Sequence, residues 1–206
     1  PRLIFTSSGT EANQLAIRSV LEPLLQKPSQ SSGARPHWIL SAGEHDSTLR
    51  MAEWFVQQGG EVSYLPLGPE GAPQVELLGE FWRPQTALVS VIWVNNETGV
   101  ITDLRQLSQE VRARDGVLHV DGAQAWGKLP VNLDTLGAAF VTFSGHKIGG
   151  LAGTGVLWAR AGRLGSSLLL GKQEQGQRGG SEKLLGVVAL GAAAAALSPQ
   201  PWARLV

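Results

Sequence analysis

One lysine stands in a setting that favours covalent chemistry over a surface charge. Lys147 lies in the motif SGHKIGG, which directly follows the apolar run FVTF. Burial and neighbouring cations lower the pKa of a lysine, and the neutral amine can then form a Schiff base with a carbonyl group. The motif therefore predicts an amine that binds a carbonyl cofactor, for which pyridoxal 5'-phosphate is the natural candidate.

Pyridoxal 5'-phosphate needs further partners, and two motifs of the chain offer them. Its ring nitrogen needs a carboxylate, its phenolic oxygen needs donors, and its phosphate needs hydroxyl, imidazole or backbone N–H groups. The motif HVDGAQ offers the carboxylate of Asp121 and the amide of Gln124. The motif around Lys147 offers the hydroxyl of Ser144 and the imidazole of His146. A competing interpretation makes Asp121 a turn residue and Lys147 a strand-end charge, but the two motifs together favour a cofactor site.

Short apolar runs precede these motifs and predict the strands that position them. VLHV ends in Asp-Gly-Ala-Gln, and FVTF ends in Ser-Gly-His-Lys. Buried parallel strands have this pattern and present polar groups at their carboxyl ends. A third run, residues 87–94, ends in Asn95 and Asn96, whose amides suit a phenolate or a substrate carboxylate. The competing interpretation there is an Asx turn.

The start of the first predicted helix is a candidate anion site. RLIF predicts a short strand, and the segment TSSGT leads from it into the helical pattern EANQLAIRSVLEPLL. Unpaired N–H groups at a helix start, together with the helix dipole, hold anions. Gly9 and Thr10 lie at this point, although an ordinary N-cap at Thr10 is the competing interpretation.

A histidine lies in the connection between the next two predicted elements. His45 follows a strand predicted at residues 37–41 and precedes a helix predicted at about residues 47–58. In such a connection an imidazole can face the edge of the sheet and stack on a flat ring. The competing interpretation is a solvated loop histidine.

The remaining patterns alternate between strands and helices. Strands are predicted at residues 61–67 and 153–159, and the Pro/Ser/Gly-rich residues 27–36 predict a surface loop. Helices are predicted at residues 75–81, 103–114 and 184–197. The alanine-rich last segment is shorter than the roughly 17 residues that span a bilayer, so it predicts a packed helix.

The composition narrows the class of partner. The 17 Lys and Arg residues balance the 17 Asp and Glu residues, and the sequence has no basic stripe with interleaved aromatic residues. We therefore expect neither nucleic acid nor an anionic membrane to bind. A small molecule is the default partner. The absence of cysteine excludes disulfides and thiolate metal sites, and we expect no metal. No secretory signal is visible, which favours a cytoplasmic setting.

HVDGAQ followed by SGHKIGG resembles the cofactor site of the class V, fold-type I pyridoxal phosphate enzymes, above all the cysteine desulfurase and selenocysteine lyase family. SSGTEANQLAI, EHDS and VNNETG resemble family segments in the family's order. The resemblance covers residues 2–196. It implies an α/β fold in which a mostly parallel, seven-stranded-type mixed sheet has helices on both faces. Residues 1–206 would then be the cofactor-binding large domain.

The resemblance also implies roles for individual residues. Lys147 would form the Schiff base and move the α-proton, and His45 would stack on the ring and serve as a candidate proton carrier. Gly9 and Thr10 would contact the phosphate. Asn96 would contact cofactor oxygen and substrate, whereas Asn95 would be structural.

The glycine-rich residues 171–191 resemble the family segment GGxQExGxRxGTxN, with Ser181 in place of the threonine and Lys183 in place of the asparagine. In the family this segment crosses a homodimer and brings the hydroxyl to the phosphate of the partner's cofactor. Ser181 keeps that hydroxyl. A flexible linker is the competing interpretation.

The family's sulfur-transfer groups have no counterpart in this chain. Family members use an acidic group or a cysteine on a later loop and an arginine from a carboxyl-terminal domain, but this chain has no cysteine and stops at Val206. We therefore expect an incomplete cysteine desulfurase-like lyase, which removes sulfur or selenium from L-cysteine or L-selenocysteine, gives L-alanine and passes the chalcogen to an acceptor protein. Pro1 suggests a start inside a longer reading frame. The alternatives are another class V enzyme, aminotransferase or kynureninase-like, and a non-catalytic fragment that binds cofactor or dimerises.

Overall fold

The computed structural model describes residues 2–26, 34–160, 164–165 and 168–197. Most of the loop predicted at residues 27–36 lies outside the described residues. Seven strands and five α-helices are present in this part of the chain. The strands are β1 Arg2–Thr6, β2 His37–Ser41, β3 Glu61–Leu65, β4 Thr86–Ile92, β5 Leu118–Asp121, β6 Phe140–Ser144 and β7 Gly155–Ala159.

The helices follow the strands in an alternating order over most of the chain. They are α1 Gly9–Leu25, α2 Asp46–Gln57, α3 Leu78–Phe81, α4 Leu104–Arg112 and α5 Leu184–Ala196. Single 3₁₀ turns lie at Val75–Leu77, Gly145–Ile148 and Glu174–Gly176. No helix among the described residues is both long and apolar enough to cross a membrane.

The strands form one mixed sheet in the order β1-β7-β6-β5-β4-β2-β3. β7 pairs antiparallel with both of its neighbours, and all other pairings are parallel. The carboxyl ends of the six strands other than β7 therefore lie at the same edge of the sheet. The register places Ile92 beside Asp121 and Asp121 beside Thr142 at this edge. The predicted fold class, an α/β fold with a mostly parallel seven-stranded mixed sheet, is confirmed.

Successive residues of the strands contribute to cores on opposite faces. In β2, Ile39 packs in the cluster that contains α4, whereas Trp38 and Leu40 pack against residues of α1 and α2. This alternation follows from the period of two of a strand and explains why the central strands read as nearly unbroken apolar runs. Helices thus cover both faces, which leaves the edges of the sheet for a binding site.

The last helix is less buried than the sequence suggests. α5 forms where a helix was predicted, but only Gly186 and Leu190 among its residues are buried. Leu185 is 83% exposed, and Leu184 and Val188 are also exposed. α5 does pack on the core, since Leu190 belongs to the main hydrophobic cluster, but only through this narrow side.

Candidate active site

A cavity of about 200 Å³ lies at the carboxyl-terminal edge of the sheet. The connections after β1, β2, β4, β5 and β6 all contribute to it, as expected for the carboxyl ends of parallel strands. Every residue that the sequence assigned to the site within one chain lines this cavity, and Ser181 does not. The lining residues are Ser8, Gly9, Thr10, Asn13, His45, Ser47, Ile92, Asn96, Asp121, Ala123, Gln124, Ser144, His146 and Lys147.

Asp121 is the buried carboxylate of the cavity, with 3% of its surface exposed. One oxygen accepts a 2.7 Å hydrogen bond from Nδ2 of Asn13, and the other accepts a 3.0 Å bond from the backbone N–H of Ala123. Burial raises the pKa of Asp121, while these two hydrogen bonds oppose the rise. A cationic ring nitrogen placed against Asp121 would favour its ionised form.

Asn13 is a site residue that sequence reasoning missed. Its side chain is buried on α1 and donates to Asp121 and, over 3.0 Å, to Oγ of Ser47. Its oxygen accepts a hydrogen bond from the hydroxyl of Thr142 on β6. A polar residue between Ala12 and the apolar positions of α1 was the available signal, since a buried amide needs partners.

His45 is the N-cap of α2, which begins one residue earlier than predicted. Its Nδ1 accepts a 3.1 Å hydrogen bond from the backbone N–H of Ser47 and lies 2.8 Å from the Ser47 hydroxyl. The neutral ring then carries its proton on Nε2. Asn13 and Ser47 thereby connect His45 to Asp121 through consecutive hydrogen bonds.

Glu44 is a second buried carboxyl group that the sequence did not single out. It is 6% exposed, and one oxygen accepts a hydrogen bond from the backbone N–H of Ile92. Its other oxygen has no partner among the described residues. Burial raises the pKa of Glu44 well above its usual range, and the nearby charge of Asp121 adds to the rise. Glu44 ties the connection that carries His45 to the end of β4.

The start of α1 faces the cavity, but its N-cap is not Thr10, the residue that the sequence suggested for an ordinary cap. The N-cap is Ser8, whose side chain accepts a 3.1 Å hydrogen bond from the N–H of Glu11, and Thr10 lies inside the helix. A Cβ on Gly155 would lie 2.3 Å from the carbonyl of Ser8. Glycine at this position of β7 therefore lets the start of α1 approach the sheet.

Ser144 and His146 lie at the end of β6, opposite the start of α1. Oγ of Ser144 is 3.0 Å from Nδ1 of His146. A Cβ on Gly9 would lie 3.2 Å from Cβ of Ser144, so the two segments are in close contact. Hydroxyl, imidazole and helix-start N–H groups are thus brought to one end of the cavity, where they suit an anion.

Lys147 lines the cavity but is not buried in apolar surroundings. It lies in the 3₁₀ turn Gly145–Ile148, and its side chain is exposed. The apolar run ends at Ser144, and the turn carries the chain away from the sheet edge. The amine is therefore exposed rather than shielded by apolar side chains, and its role as the Schiff-base lysine stays a prediction.

Two neighbouring asparagines behave differently at the end of β4. Asn95 closes an Asx turn, because its Oδ1 accepts hydrogen bonds of 2.9 Å from the N–H groups of Glu97 and Thr98. Its Nδ2 donates over 3.0 Å to the carbonyl of Gly43. Asn96 is exposed and lines the cavity. Asn95 thus has the contacts of a structural residue, and the amide of Asn96 is available to a ligand.

Ser181 lies on an exposed loop that an ion pair ties to α1. Arg178 donates from Nε over 2.8 Å and from Nη2 over 3.2 Å to the carboxylate of Glu11. That carboxylate also accepts a 2.7 Å hydrogen bond from the N–H of Ser7. The pair anchors the loop beside the start of α1, while Ser181 itself is exposed.

No group of three or more His, Cys, Asp or Glu side chains within the described ranges is arranged to hold a metal ion. The cavity instead combines a buried carboxylate, an amine and a helix start. This set of groups suits an organic cation with an anionic tail and a carbonyl group.

Comparison with known families agrees with this fold. The family model described as aminotransferase class-V matches residues 1–203. The chain therefore belongs to the class-V aminotransferase family.

Within that family, its relatives include cysteine desulfurases. The cysteine desulfurase of Nostoc sp. (strain PCC 7120) is 37% identical over 193 residues, which cover 93% of this chain and 46% of that protein. Cysteine desulfurase IscS of Dictyoglomus turgidum is 35% identical over 192 residues, which cover 93% of this chain and 47% of that protein. The chain spans about half the length of the curated relatives it matches.

Solved structures show the same relationship. The structure described as SspA in complex with cysteine has a TM-score of 0.88 and 30% sequence identity, covering 95% of this chain and 55% of that one. DndA from Streptomyces lividans has a TM-score of 0.83 and 37% sequence identity, and the match covers 97% of this chain and 56% of that one. Both likenesses extend over nearly the whole of this chain.

Proposed function

We propose that this chain is the pyridoxal-phosphate-binding large domain of a cysteine desulfurase. Class-V aminotransferases and cysteine desulfurases are pyridoxal phosphate enzymes. The single observation that carries the proposal is that buried Asp121 and the amine of Lys147 line the same cavity. A carboxylate for the ring nitrogen and an amine for the aldehyde are the two groups that this cofactor requires.

The chain's own residues fit the rest of the cofactor. The start of α1 at Gly9 and Thr10, together with Ser144 and His146, would hold the phosphate. Gln124 would donate to the phenolic oxygen, and Asn96 would contact cofactor oxygen and substrate. His45 would stack on the ring.

Bound pyridoxal phosphate would supply an electron sink for the pair left behind when the α-proton of an amino acid is removed. Lys147 would hold the cofactor through its aldehyde group and would be the base that takes the α-proton of the substrate. Asp121 would keep the ring nitrogen protonated. The hydrogen bonds from Asn13 and Ala123 hold this carboxylate in place, so its oxygens need not reorganise during the reaction.

The substrate we propose is L-cysteine or L-selenocysteine, with L-alanine as one product. A complex with cysteine is known for SspA, a structural relative of this chain. The chain contains no cysteine, so a cysteine that accepts the chalcogen has to come from outside these 206 residues. We further propose a cytoplasmic homodimer in which Ser181 reaches the partner's cofactor phosphate, and a sulfur-acceptor protein, with iron–sulfur cluster assembly as the use of the sulfur.

Borohydride reduction in the presence of pyridoxal phosphate tests the proposal. Reduction makes the bond between amine and aldehyde permanent, so peptide mass spectrometry should find the pyridoxyl adduct on Lys147. Lys172→Ala, which removes an exposed lysine, should leave the adduct unchanged, and Lys147→Ala should abolish it. An adduct spread over all lysines would refute the proposal.

The reaction itself is tested on the full-length protein. Incubation with L-cysteine should release alanine and sulfide in the presence of a reductant. Formation of a keto acid instead would indicate an aminotransferase, and cofactor binding without any product would indicate a non-catalytic domain.

A further inference from the structure

Lys128 contacts a cavity residue from outside the cavity. Its Nζ donates a 2.6 Å hydrogen bond to Oε1 of Gln124, four residues earlier in the turns that follow β5. Gln124 is one of the residues that line the cavity, and Lys128 is not. Lys128 therefore reaches the site through Gln124.

The backbone around Lys128 holds it in this position. Its N–H donates over 3.0 Å to the carbonyl of Ala125, and Gly127 has a φ of 75°, in the left-handed region that glycine tolerates. A Cβ on Gly127 would lie 3.1 Å from Ile148, in the turn that contains Lys147. The two lysines are thus carried by turns that pack against each other.

The hydrogen bond from Lys128 fixes the orientation of the Gln124 side-chain amide. An ammonium group has three donors and no acceptor, so only the amide oxygen can face Lys128. The amide nitrogen then points away, and it has no hydrogen-bond partner within the described part of the chain. Gln124 accordingly offers the cavity donors.

We propose that Lys128 is a positioning residue that turns the N–H groups of Gln124 toward the cavity, so that the site selects an oxyanion there. This inference rests on the proposed function, under which the oxyanion is the ionised phenolic oxygen of pyridoxal phosphate. An amide free to rotate would also present its oxygen, which would favour the protonated phenol.

The charges around Lys128 agree with a fixed position. Burial lowers the pKa of Lys128, and the positive charge of Lys147 lowers it further. Burial and the nearby charge of Lys147 both disfavour the ammonium form, so an unrestrained lysine side chain would turn toward water. The hydrogen bond to Gln124 holds the side chain of Lys128 in place against this tendency.

A spectroscopic pH titration of the full-length protein loaded with pyridoxal phosphate tests the inference without measuring turnover. The readout is the midpoint at which the visible absorption band of the bound cofactor changes with pH. Lys128→Met should raise this midpoint by about one pH unit, since a donor to the phenolate and a nearby cation both disfavour proton uptake. Lys128→Arg keeps a charged donor and should leave the midpoint within about 0.3 units, a small fraction of that shift. Lys172→Met, the same change at an exposed position, should have no effect.

A second background separates positioning from charge alone. In the Gln124→Leu variant the amide is absent. Lys128→Met should then shift the midpoint by less than half of the shift that it causes in the protein with Gln124. Equal shifts in both backgrounds, or no shift in either, would overturn the inference. Failure of the proposed function looks different, because the unmodified protein would then show neither a pH-dependent band nor a reducible adduct on Lys147.

Discussion

The side-chain amide of Asn13 donates a 2.7 Å hydrogen bond to Asp121, a residue 108 positions later in the chain. The bond joins α1, whose start faces the cavity, to the buried carboxylate that lines it. Because Asn13 also contacts Thr142 and Ser47, one side chain connects α1 with α2, β5 and β6. Asn13 therefore connects the helix start and the carboxylate that line the same cavity.

Replacing Asn13 with leucine should weaken both cofactor binding and the fold. The loss leaves Asp121, Thr142 and Ser47 short of a partner, and each unsatisfied buried group costs about 1–3 kcal/mol. We expect cofactor affinity to fall roughly tenfold, the equivalent of about 1.4 kcal/mol. Fluorescence titration with pyridoxal phosphate and urea unfolding measure the two effects. Gln14→Ala, one position along the same helix, should change neither, and equal losses in both variants would contradict this role.

Glu44→Gln should stabilise the protein most at alkaline pH. Burial raises the pKa of Glu44 in the folded state, so the folded chain binds its proton more tightly than the unfolded chain does. Stability from this group is fully present below the unfolded pKa of about 4.5 and is lost as the pH rises toward the folded pKa. The neutral amide keeps an oxygen for the N–H of Ile92 but removes this loss.

Urea unfolding of Glu44→Gln and the parent at pH 5 and pH 8 checks this sign. The advantage of the variant should grow between the two pH values. Glu76→Gln, at an exposed position, should show no such growth. An advantage that shrinks with rising pH would show that Glu44 is held in its ionised form.

His119→Phe should make stability less sensitive to acid. His119 is fully buried, and burial lowers its pKa to about 3. Between that value and the unfolded pKa of about 6.5 the unfolded chain binds the extra proton, so stability is lost as the pH falls through 6.5. This residue alone should account for about 1.4 kcal/mol of the loss between pH 7.5 and pH 5.5.

Unfolding free energies of parent and variant at these two pH values provide the measurement. His37 also has a pKa lowered by burial, to about 4, and so the His119→Phe variant should keep part of the acid sensitivity. If the two proteins lose the same free energy, His119 is not protonated on unfolding over this range.

Arg178→Met should release the loop that carries Ser181. Arg178 and Glu11 are 14% and 12% exposed, so removal of one partner leaves a largely buried charge without its counter-ion. We expect a loss of about 2 kcal/mol, below the range for fully buried pairs because both side chains retain some solvent contact. Hydrogen exchange of the amides in residues 171–183 should accelerate.

A double-mutant cycle with Glu11→Gln isolates the pair, and the double variant should lose much less than the sum of the single losses. Arg50→Met is the matched control, because Arg50 pairs with Glu53 at a surface where both side chains are more than half exposed. Its loss should stay below about 0.5 kcal/mol. Additive losses in the cycle would mean that the contact does not hold the loop.

Much of the fold could be predicted from local patterns. The strand at His37–Ser41 has the predicted bounds. The 3₁₀ turn and short helix that follow β3 together span the predicted residues 75–81. Two helix starts differ from the prediction at their caps: His45 caps α2, which begins at Asp46, and Ser8 caps α1, which begins at Gly9. A cap depends on which N–H groups the folded chain leaves free. The apolar helix α5 was predicted from its sequence, but its exposure was not. An apolar helical sequence does not show which other elements pack against the helix.

The sequence by itself determined the strands and which polar residues stand at their carboxyl ends, since apolar runs and the turns that follow them are local features. Only the tertiary structure decided which of those residues meet. Asn13 with Asp121, Glu44 with Ile92 and Glu11 with Arg178 are pairs that the order of the sheet brings together across 108, 48 and 167 residues. No spacing encodes such contacts, because a hydrogen bond between distant side chains exists only once the strands have paired and the helices have packed on them.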